Sequence, residues 1–406
     1  MLKCGLLGEK LGHSFSPQIH KALADYEYGL YEVAPSALDS FLVATALDGM
    51  NVTIPYKKDV IRSCASLSPE AEAIGSVNTL VRMPYGWHGD NTDYAGFCWL
   101  CDSIGVDIAG KKVLIFGSGG ASLTVQKVMA DRKAGQVVVI SRSGENNYDN
   151  LYLHADAEIV VNTTPLGTYP NTGVAAASLE HFPKCEAVLD VVYNPARTAL
   201  LLDAEKRGIR HVNGLGMLVA QAHRAAEIFL NKRLDSSVIE CIRADIARST
   251  GNIVLVGMPG SGKSKKGRLL AERLGKKFVD ADDFFMEYHG MSPADAITGL
   301  GEAKMRAMES EVLAELGKRS GLVIATGGGA VTREENYDYL HQNGTIVWVK
   351  RPLAELPTGG RPLSQSCGVQ ELYARRAALY ERFADFSIDV CDTVEHAVDA
   401  ILEALK

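Results

Sequence analysis

Gly257-Met258-Pro259-Gly260-Ser261-Gly262-Lys263-Ser264 matches the pattern GxxxxGK[ST] at every fixed position. The apolar run Ile253-Val254-Leu255-Val256 precedes it and a helix-like segment through Leu274 follows, so the spacing predicts a strand, a tight loop and a helix. Low side-chain bulk at Gly260, Ser261 and Gly262 lets backbone N–H groups converge on a polyphosphate, and the helix N-terminus adds partial positive charge. Lys263 and Ser264 then reach the terminal phosphates and Mg²⁺. This nucleotide site begins only after some 250 residues of other sequence, which points to a second catalyst upstream on the same chain.

A length of 406 residues is long for one core and sufficient for two or three domains. Hydrophobic residues make up 47% and charged residues 22% of the chain, a globular composition. The net charge of −7 offers no general attraction to nucleic acid, and no basic block or RNA-binding signature argues for it. Anionic ligands must therefore be held by local basic pockets. The eight cysteines are scattered, and the pair Cys98-Trp99-Leu100-Cys101 lacks a second pair to complete a zinc site, so it reads as core thiols on a helix. Met1-Leu2-Lys3-Cys4-Gly5 leads directly into a strand without a signal peptide, and no apolar stretch is long enough to span a membrane. The cytoplasm is the expected location.

Strand-like and helix-like segments alternate along the chain, a pattern that implies an α/β protein with parallel sheets covered by helices. Strands are expected at 4–7, 31–33, 50–53 and 78–81. A second unit starts at the strand 112–116 and continues as helix to about Arg132, with further strands at 137–140, 159–161 and 188–191. Helices near 217–230 and 236–248 close this half, and Ser249-Thr250-Gly251 is a short junction to the nucleotide-loop strand. The ranges read as 1–105, completed by helices at about 215–248, then 106–214, then 251–406. No internal repeat or low-complexity tract appears.

Gly117-Ser118-Gly119-Gly120-Ala121-Ser122 lies between a strand and a helix in the dinucleotide-binding arrangement, with Ser122 in place of the last Gly; an ordinary tight turn has the same spacing. At the end of the next strand stands Ser141-Arg142-Ser143 rather than an acidic residue, and a guanidinium with two hydroxyls suits a 2′-phosphate. NADP(H) is favoured over NAD(H). Nearer the N-terminus, His13-Ser14-Phe15-Ser16-Pro17 places two hydroxyls in an extended loop before a helix, which fits a pocket or simple helix capping. Asn51 and Thr53 are expected on one strand face, with Lys57 entering the following helix. Asn78 and the run Gly89-Asp90-Asn91-Thr92-Asp93 add an amide and a carboxylate, each of which alone also fits a cap or a solvated surface.

Together these motifs resemble shikimate dehydrogenase, densely over residues 1–248: HSxSP at 13–17, NVTxPxK at 51–57, Gly-Ser-Val-Asn-Thr at 75–79, DNTD at 90–93, GxGGAS at 117–122, and Asn213-Gly214-Leu215-Gly216-Met217-Leu218-Val219-Ala220-Gln221. The resemblance implies a two-lobed unit with a Rossmann NADP domain. It implies that Ser14, Ser16, Asn51, Thr53, Lys57, Asn78, Asp93, Tyr193 and Gln221 bind 3-dehydroshikimate or shikimate, with Lys57 and Asp93 as the proton-transfer pair. It places Gly117, Gly119, Gly120, Ala121, Ser122, Ser141, Arg142, Thr163 and Gly214 against the dinucleotide. Departures from the family pattern are Ser141 where Asn is frequent, Glu145 where a basic residue is common nearby, and a shortened segment between Val33 and Asn51.

Residues 252–406 resemble shikimate kinase, implying a P-loop domain with a parallel sheet. Beyond the P-loop the matching marks are Asp280-Ala281-Asp282, the GExxFRxxE-like run Gly301–Glu309 with Met305 for Phe, Thr326-Gly327-Gly328-Gly329, Arg361-Pro362-Leu363, and Arg376-Ala377-Ala378-Leu379-Tyr380 without the usual Pro before Leu. The resemblance implies Asp280 with Ser264 at Mg²⁺, Asp282 as proton acceptor, and Lys263, Lys265 and Arg361 with ATP. Arg306 and Arg376 clamp the shikimate carboxylate, whose planar form matches a guanidinium fork, and Gly327, Gly328 and Gly329 allow close approach to the ring. The lid region Glu355–Gly360 is short and lacks an Arg that the family often carries there. Small molecules are the expected partners, without nucleic acid or membrane. Two rivals remain at this stage: the same enzyme classes acting on quinate or another polyol, and a non-catalytic sensor that kept the folds.

Overall fold

The computed structural model describes residues 1–12, 14–356, 368–389 and 393–405. Among these residues packing separates two units, Met1–Leu166 with Ala175–Tyr193 and Asp203–Ile246, and Gly167–Val174 with Asn194–Leu202 and Ala247–Lys406. No described helix is long and apolar enough to cross a membrane.

The first unit contains two sheets. Strands β1 (Lys3–Gly8), β2 (Glu27–Glu32), β3 (Gly49–Val52), β4 (Cys64–Leu67), β5 (Thr79–Met83) and β6 (Gly86–Asp90) form one in the order β2-β1-β3-β5-β6-β4. This sheet is mixed, where the alternating pattern implies a parallel one. Pro84 and Tyr85 form a turn between β5 and β6, too short for a parallel crossover, so these strands pair antiparallel. Strands β4 and β6 escape the sequence pattern because their apolar content is thin: Gly86-Trp87-His88-Gly89-Asp90 has one large apolar side chain.

The second sheet holds β7 (Lys112–Phe116), β8 (Gln136–Ile140), β9 (Ile159–Asn162), β10 (Ala187–Asp190) and β11 (Arg210–Val212) in the order β11-β10-β9-β7-β8. All its pairings are parallel. The chain runs outward from β7 in both directions, which opens a crevice at the carboxyl ends of β7 and β9, the usual place for a ligand in such sheets. The helix Gly120–Asp131 covers one face through Val125, Val128 and Met129, packed with Val113 and Ile115. The helix Leu215–Leu230 ties the two sheets together. Met217 near its start joins the core of the second sheet, whereas Ala225, Ala226 and Phe229 near its end pack with Cys4 and Tyr26 of the first.

In the second unit β12 (Asn252–Val256), β13 (Lys277–Asp280), β14 (Leu322–Ala325), β15 (Gly344–Val349) and β16 (Phe386–Ile388) form a parallel sheet in the order β13-β14-β12-β15-β16. Alternation along β12 serves both faces. Val254 and Val256 enter one core with Phe285, Val312, Leu313 and Tyr380, while Ile253 and Leu255 enter the other with Leu270, Ala397 and Ile401. Ser249 and Thr250, expected in a junction, are the last residues of the helix Ser237–Thr250, and Gly251 alone separates that helix from β12.

Candidate active sites

In the first unit, β3 and β5 bring Asn51 opposite Thr79, and a polar network grows from that pair. Tyr28 donates to Asn51 Oδ1 at 2.7 Å, and Asn51 Nδ2 donates to Thr79 Oγ1 at 3.1 Å. Asn78 Oδ1 accepts from the Thr92 backbone N–H at 2.7 Å, and Thr92 Oγ1 lies 3.3 Å from Gln221 Oε1. Burial holds the Tyr28 phenol well above its ordinary pKa, so it stays protonated and able to donate to Asn51. Behind it His20 stacks on Tyr28 with ring centroids 3.9 Å apart and meets Tyr26 Oη at 2.6 Å. Burial drives the imidazole down to about 3, and the ring is a neutral packing element rather than an acid or base.

Lys57 Nζ lies 2.6 Å from Asp93 Oδ2, with side chains 26% and 15% exposed. The pair is therefore sheltered but open to a ligand. Three local expectations are corrected. Lys57 sits in a turn over 54–58 followed by a 3₁₀ segment Asp59–Ser63, not in an α-helix, because Pro55 two residues earlier interrupts regular structure. Thr53 lies just past the end of β3, its N–H donating to Leu7 O at 2.9 Å. Ser16 starts the helix Ser16–Leu23 rather than preceding it, and Ser14 Oγ accepts from its N–H at 3.2 Å, so Ser14 contributes at least a local turn. Tyr193 approaches the same segment through Phe15, ring centroids 6.0 Å apart. His13 lies outside the described residues.

At the crevice of the second sheet, Gly117 follows β7 with φ +104°, and a Cβ there would lie 2.8 Å from Thr163 Oγ1. Thr163 follows β9 and donates from both N–H and Oγ1 to Phe116 O, at 2.9 and 2.7 Å. Gly119 caps the helix Gly120–Asp131, and a Cβ on Gly119 or Gly120 would meet open space. Backbone N–H groups at a helix N-terminus beside open space fit a pyrophosphate. Ala121 follows in the first helical turn, and Ser122 is fully buried, bonded to Gln126 Nε2 at 3.1 Å. Arg142 is exposed past β8, next to half-buried Ser141 and with its charge acting on Tyr148. Gly214 must lack a side chain, since a Cβ would fall 2.0 Å from Val191 O.

In the second unit a cavity of about 640 Å³ opens at the carboxyl edge of the third sheet, lined among others by Lys263, Ser264, Asp280, Asp282, Arg306 and Arg376. Gly260, Gly262 and Lys265 also face it, while Ser261 is buried within the loop. Ser264 Oγ donates to Asp280 Oδ2 at 2.6 Å, so one hydroxyl and one carboxylate stand together where a phosphate-bound Mg²⁺ needs only a few protein oxygens. Asp280 Oδ1 accepts from the Asp282 N–H at 3.1 Å. Arg306 is buried and paired with Glu309 at 2.7 Å and Glu302 at 3.2 Å, yet its Nε is buried without a partner among the described residues. Arg376 donates to Gly328 O at 3.1 Å. A Cβ on Gly329 would strike the Arg306 guanidinium, and one on Gly327 would come 2.5 Å from Glu309 Oε1. Arg361, with Pro357–Gly360, lies outside the described residues.

The pKa of Asp282 is raised. The surrounding protein first, and the negative charges of Asp280 and Glu309 second, raise it to about 6 against the pull of Lys263 and Arg306. Solvent still reaches the carboxylate in the open cavity.

The sequence gives no reason to single out Tyr28, and it leaves Thr79, Thr92, Glu309 and Arg351 without roles. Thr79 and Thr92 stand beside assigned residues within motifs, and Glu309 closes one, so adjacency is an available signal. Arg351, which lines the cavity and donates to Gly260 O at 3.1 Å, has no motif to mark it.

A curated shikimate dehydrogenase (NADP(+)) of Clostridium perfringens is 37% identical over 263 residues, covering 60% of this chain and 97% of the relative. The chain belongs to the shikimate dehydrogenase family. The model of the shikimate dehydrogenase substrate binding domain matches residues 6–80, and that of shikimate kinase matches residues 259–406. The chain thus joins a shikimate dehydrogenase unit to a shikimate kinase domain. Among solved structures, a chorismate mutase/shikimate 5-dehydrogenase fusion protein from Clostridium acetobutylicum aligns with TM-score 0.58 and 34% identity, covering 60% of this chain and 97% of that one. A Thermus thermophilus shikimate 5-dehydrogenase in complex with NADP(H) and shikimate aligns with TM-score 0.56 and 28% identity, covering 60% and 99%.

Because a carboxylate accepts a proton only when ionised, kcat/KM of the kinase reaction is expected to rise with pH through a midpoint near 6 and level off above it. Asp282→Asn should remove that limb along with most activity; an unchanged profile in the variant would take Asp282 out of the proton transfer.

Proposed function

We propose that this chain catalyses two consecutive reactions: NADPH-dependent reduction of 3-dehydroshikimate to shikimate, and ATP-dependent phosphorylation of the shikimate 3-hydroxyl. One observation carries the reading: each unit holds its own proton-handling carboxylate or ammonium beside its own polar recognition set, Lys57–Asp93 in the first and Asp282 with Arg306 and Arg376 in the second. We assign residues 1–105 with 215–248 to the dehydrogenase substrate, 106–214 to the dinucleotide and 251–406 to the kinase.

In the first reaction bound NADPH supplies the hydride. The Lys57 ammonium, oriented by Asp93, donates its proton to the substrate oxygen as negative charge builds there, and accepts it back in the reverse direction. Asn51, Asn78, Thr53 and Gln221 offer amides and a hydroxyl for the ring hydroxyls; Ser14 and Ser16, with Tyr193, offer hydroxyls for the carboxylate. The glycine turn 117–120 with Ala121, Ser122, Thr163 and Gly214 holds the dinucleotide, and Ser141 and Arg142 hold the 2′-phosphate. In the second reaction Asp282 accepts the proton of the attacking hydroxyl while Arg306 and Arg376 hold the carboxylate bidentately. Lys263, with the loop N–H groups, Lys265 and Arg361, neutralises the phosphates, and Ser264 and Asp280 hold the Mg²⁺ that draws charge from the transferring group. The cysteines Cys4, Cys64, Cys98, Cys101, Cys185 and Cys241 are free, in keeping with a reducing cytoplasm.

Purified protein supplied with 3-dehydroshikimate, NADPH and Mg·ATP should oxidise NADPH and yield a product with the mass of shikimate 3-phosphate. Absence of either event sinks the corresponding half of the proposal. Lys57→Ala should lower dehydrogenase kcat by roughly 10²–10⁴-fold with NADPH binding retained; near-normal turnover would clear Lys57 of proton transfer. Arg142→Ala should weaken NADP(H) far more than NAD(H), because only the former loses a charge-assisted contact. Equal losses in a binding titration would mean that Arg142 does not read the 2′-phosphate.

A further inference from the structure

The nucleotide loop of the second unit is gripped from behind by a lysine outside its motif. Lys263 donates to Gly257 O at 2.9 Å and to Met258 O at 3.0 Å. Lys266, one helical turn later, is 5% exposed, and its Nζ donates to Ser261 O at 2.8 Å. Its ammonium lies 2.8 Å from the point that a Cβ on Gly262 would occupy, yet Lys266 is not among the residues facing the cavity. The cation therefore stands directly behind the Ser261–Gly262 peptide.

An ammonium withdrawn from water is unfavourable unless hydrogen bonds and a nearby anion offset the loss, and an apolar side chain of similar length would fill the space beneath the loop without it. Donation to Ser261 O also polarises the peptide whose N–H belongs to Gly262, making that N–H a stronger donor. Gly262 has φ +86° and caps the helix Lys263–Leu274, so the affected peptide is the one at the helix N-terminus where phosphate is expected.

We propose that Lys266 is a positioning residue for the nucleoside triphosphate: its buried ammonium orients and polarises the Ser261–Gly262 peptide and favours ligands in proportion to their phosphate charge. This rests on the kinase reading of the second unit and adds a group that the P-loop motif does not contain. The loop holds one cation at its mouth and another in its wall. The wall charge acts through a medium less polarisable than water, where a charge within several ångströms of a phosphate has more effect than at the surface.

The experiment is a calorimetric titration of the full chain with ATP, ADP and adenosine, for wild type, Lys266→Met, Lys266→Gln and Lys266→Arg. Far-UV circular dichroism and the thermal unfolding profile of each variant, compared with wild type, check that the fold is kept. Lys266→Met is expected to weaken ATP roughly tenfold to thirtyfold, ADP less, and adenosine not at all. Lys266→Gln can still donate to Ser261 O without carrying charge, and should be as weak as Lys266→Met; Lys266→Arg should recover most of the affinity. Wild-type ATP affinity in Lys266→Gln would make the residue a neutral brace and overturn the proposal, as would equal losses for ATP and adenosine. If wild type binds ATP and all variants match it, the proposal alone falls. If wild type binds no ATP, the kinase reading falls and takes the proposal with it.

Discussion

Close approach of bare backbone to the neighbouring strands is the constraint on which both glycine turns depend. Each site is a strand, a turn and a helix N-terminus at the carboxyl edge of a parallel sheet, and each turn requires Gly for a steric reason. A Cβ on Gly117 would meet Thr163 Oγ1 at 2.8 Å, and one on Gly257 would meet Val349 O at 2.5 Å. Both positions also hold positive φ, +104° and +146°, which L side chains rarely adopt. The neighbours in those contacts, Thr163 after β9 and Val349 at the end of β15, come from strands adjacent to the turn's own strand. The order of strands in each sheet, with the reversal at β7 and at β12, is thus what shapes the two turns.

Electrostatics in this chain are local. The net charge of −7 would repel anionic substrates if spread evenly, yet the kinase cavity gathers Lys263, Lys265, Arg306, Arg351 and Arg376 around Asp280, Asp282 and Glu309. The carboxylates divide the work. Asp280 is occupied by Ser264 and by the N–H of Asp282, Glu309 is occupied by Arg306, and Asp282 is left with a raised pKa and a face to the cavity. In the dehydrogenase unit the corresponding economy is one tight pair, Lys57 with Asp93, backed by a network in which Tyr28, Asn51, Thr79, Asn78 and Thr92 orient one another. Such a network rigidifies a site because each amide or hydroxyl that is turned leaves a buried partner unsatisfied.

What was legible in the sequence was whatever is encoded within a few residues. The loops 117–122 and 257–264, the pair of nucleotide-type strands before them, and the acidic Asp280-Ala281-Asp282 run are contiguous, and their chemistry follows from residue type and spacing. At the second loop the structure agrees, with the helix beginning at Lys263, whereas at the first the helix already begins at Gly120, inside the run read as the turn. The N-terminal sheet was less legible. Thin apolar content hid β4 and β6, a two-residue turn made β5 and β6 antiparallel, and Pro55 kept Lys57 out of a helix.

The sequence by itself determined that the chain has two nucleotide-type sites, which residue types stand at their turns, and that Lys57, Asp93, Asp280, Asp282, Arg306 and Arg376 are available for chemistry. Only tertiary structure decided which of these meet. Lys57 and Asp93 are far apart along the chain and 2.6 Å apart in space; Tyr28 controls Asn51 from another strand; Lys266, outside any motif, ends behind the Ser261 carbonyl. The physical reason is that hydrogen bonds and charge interactions act over a few ångströms, and strand order, not sequence distance, sets which side chains come within that range.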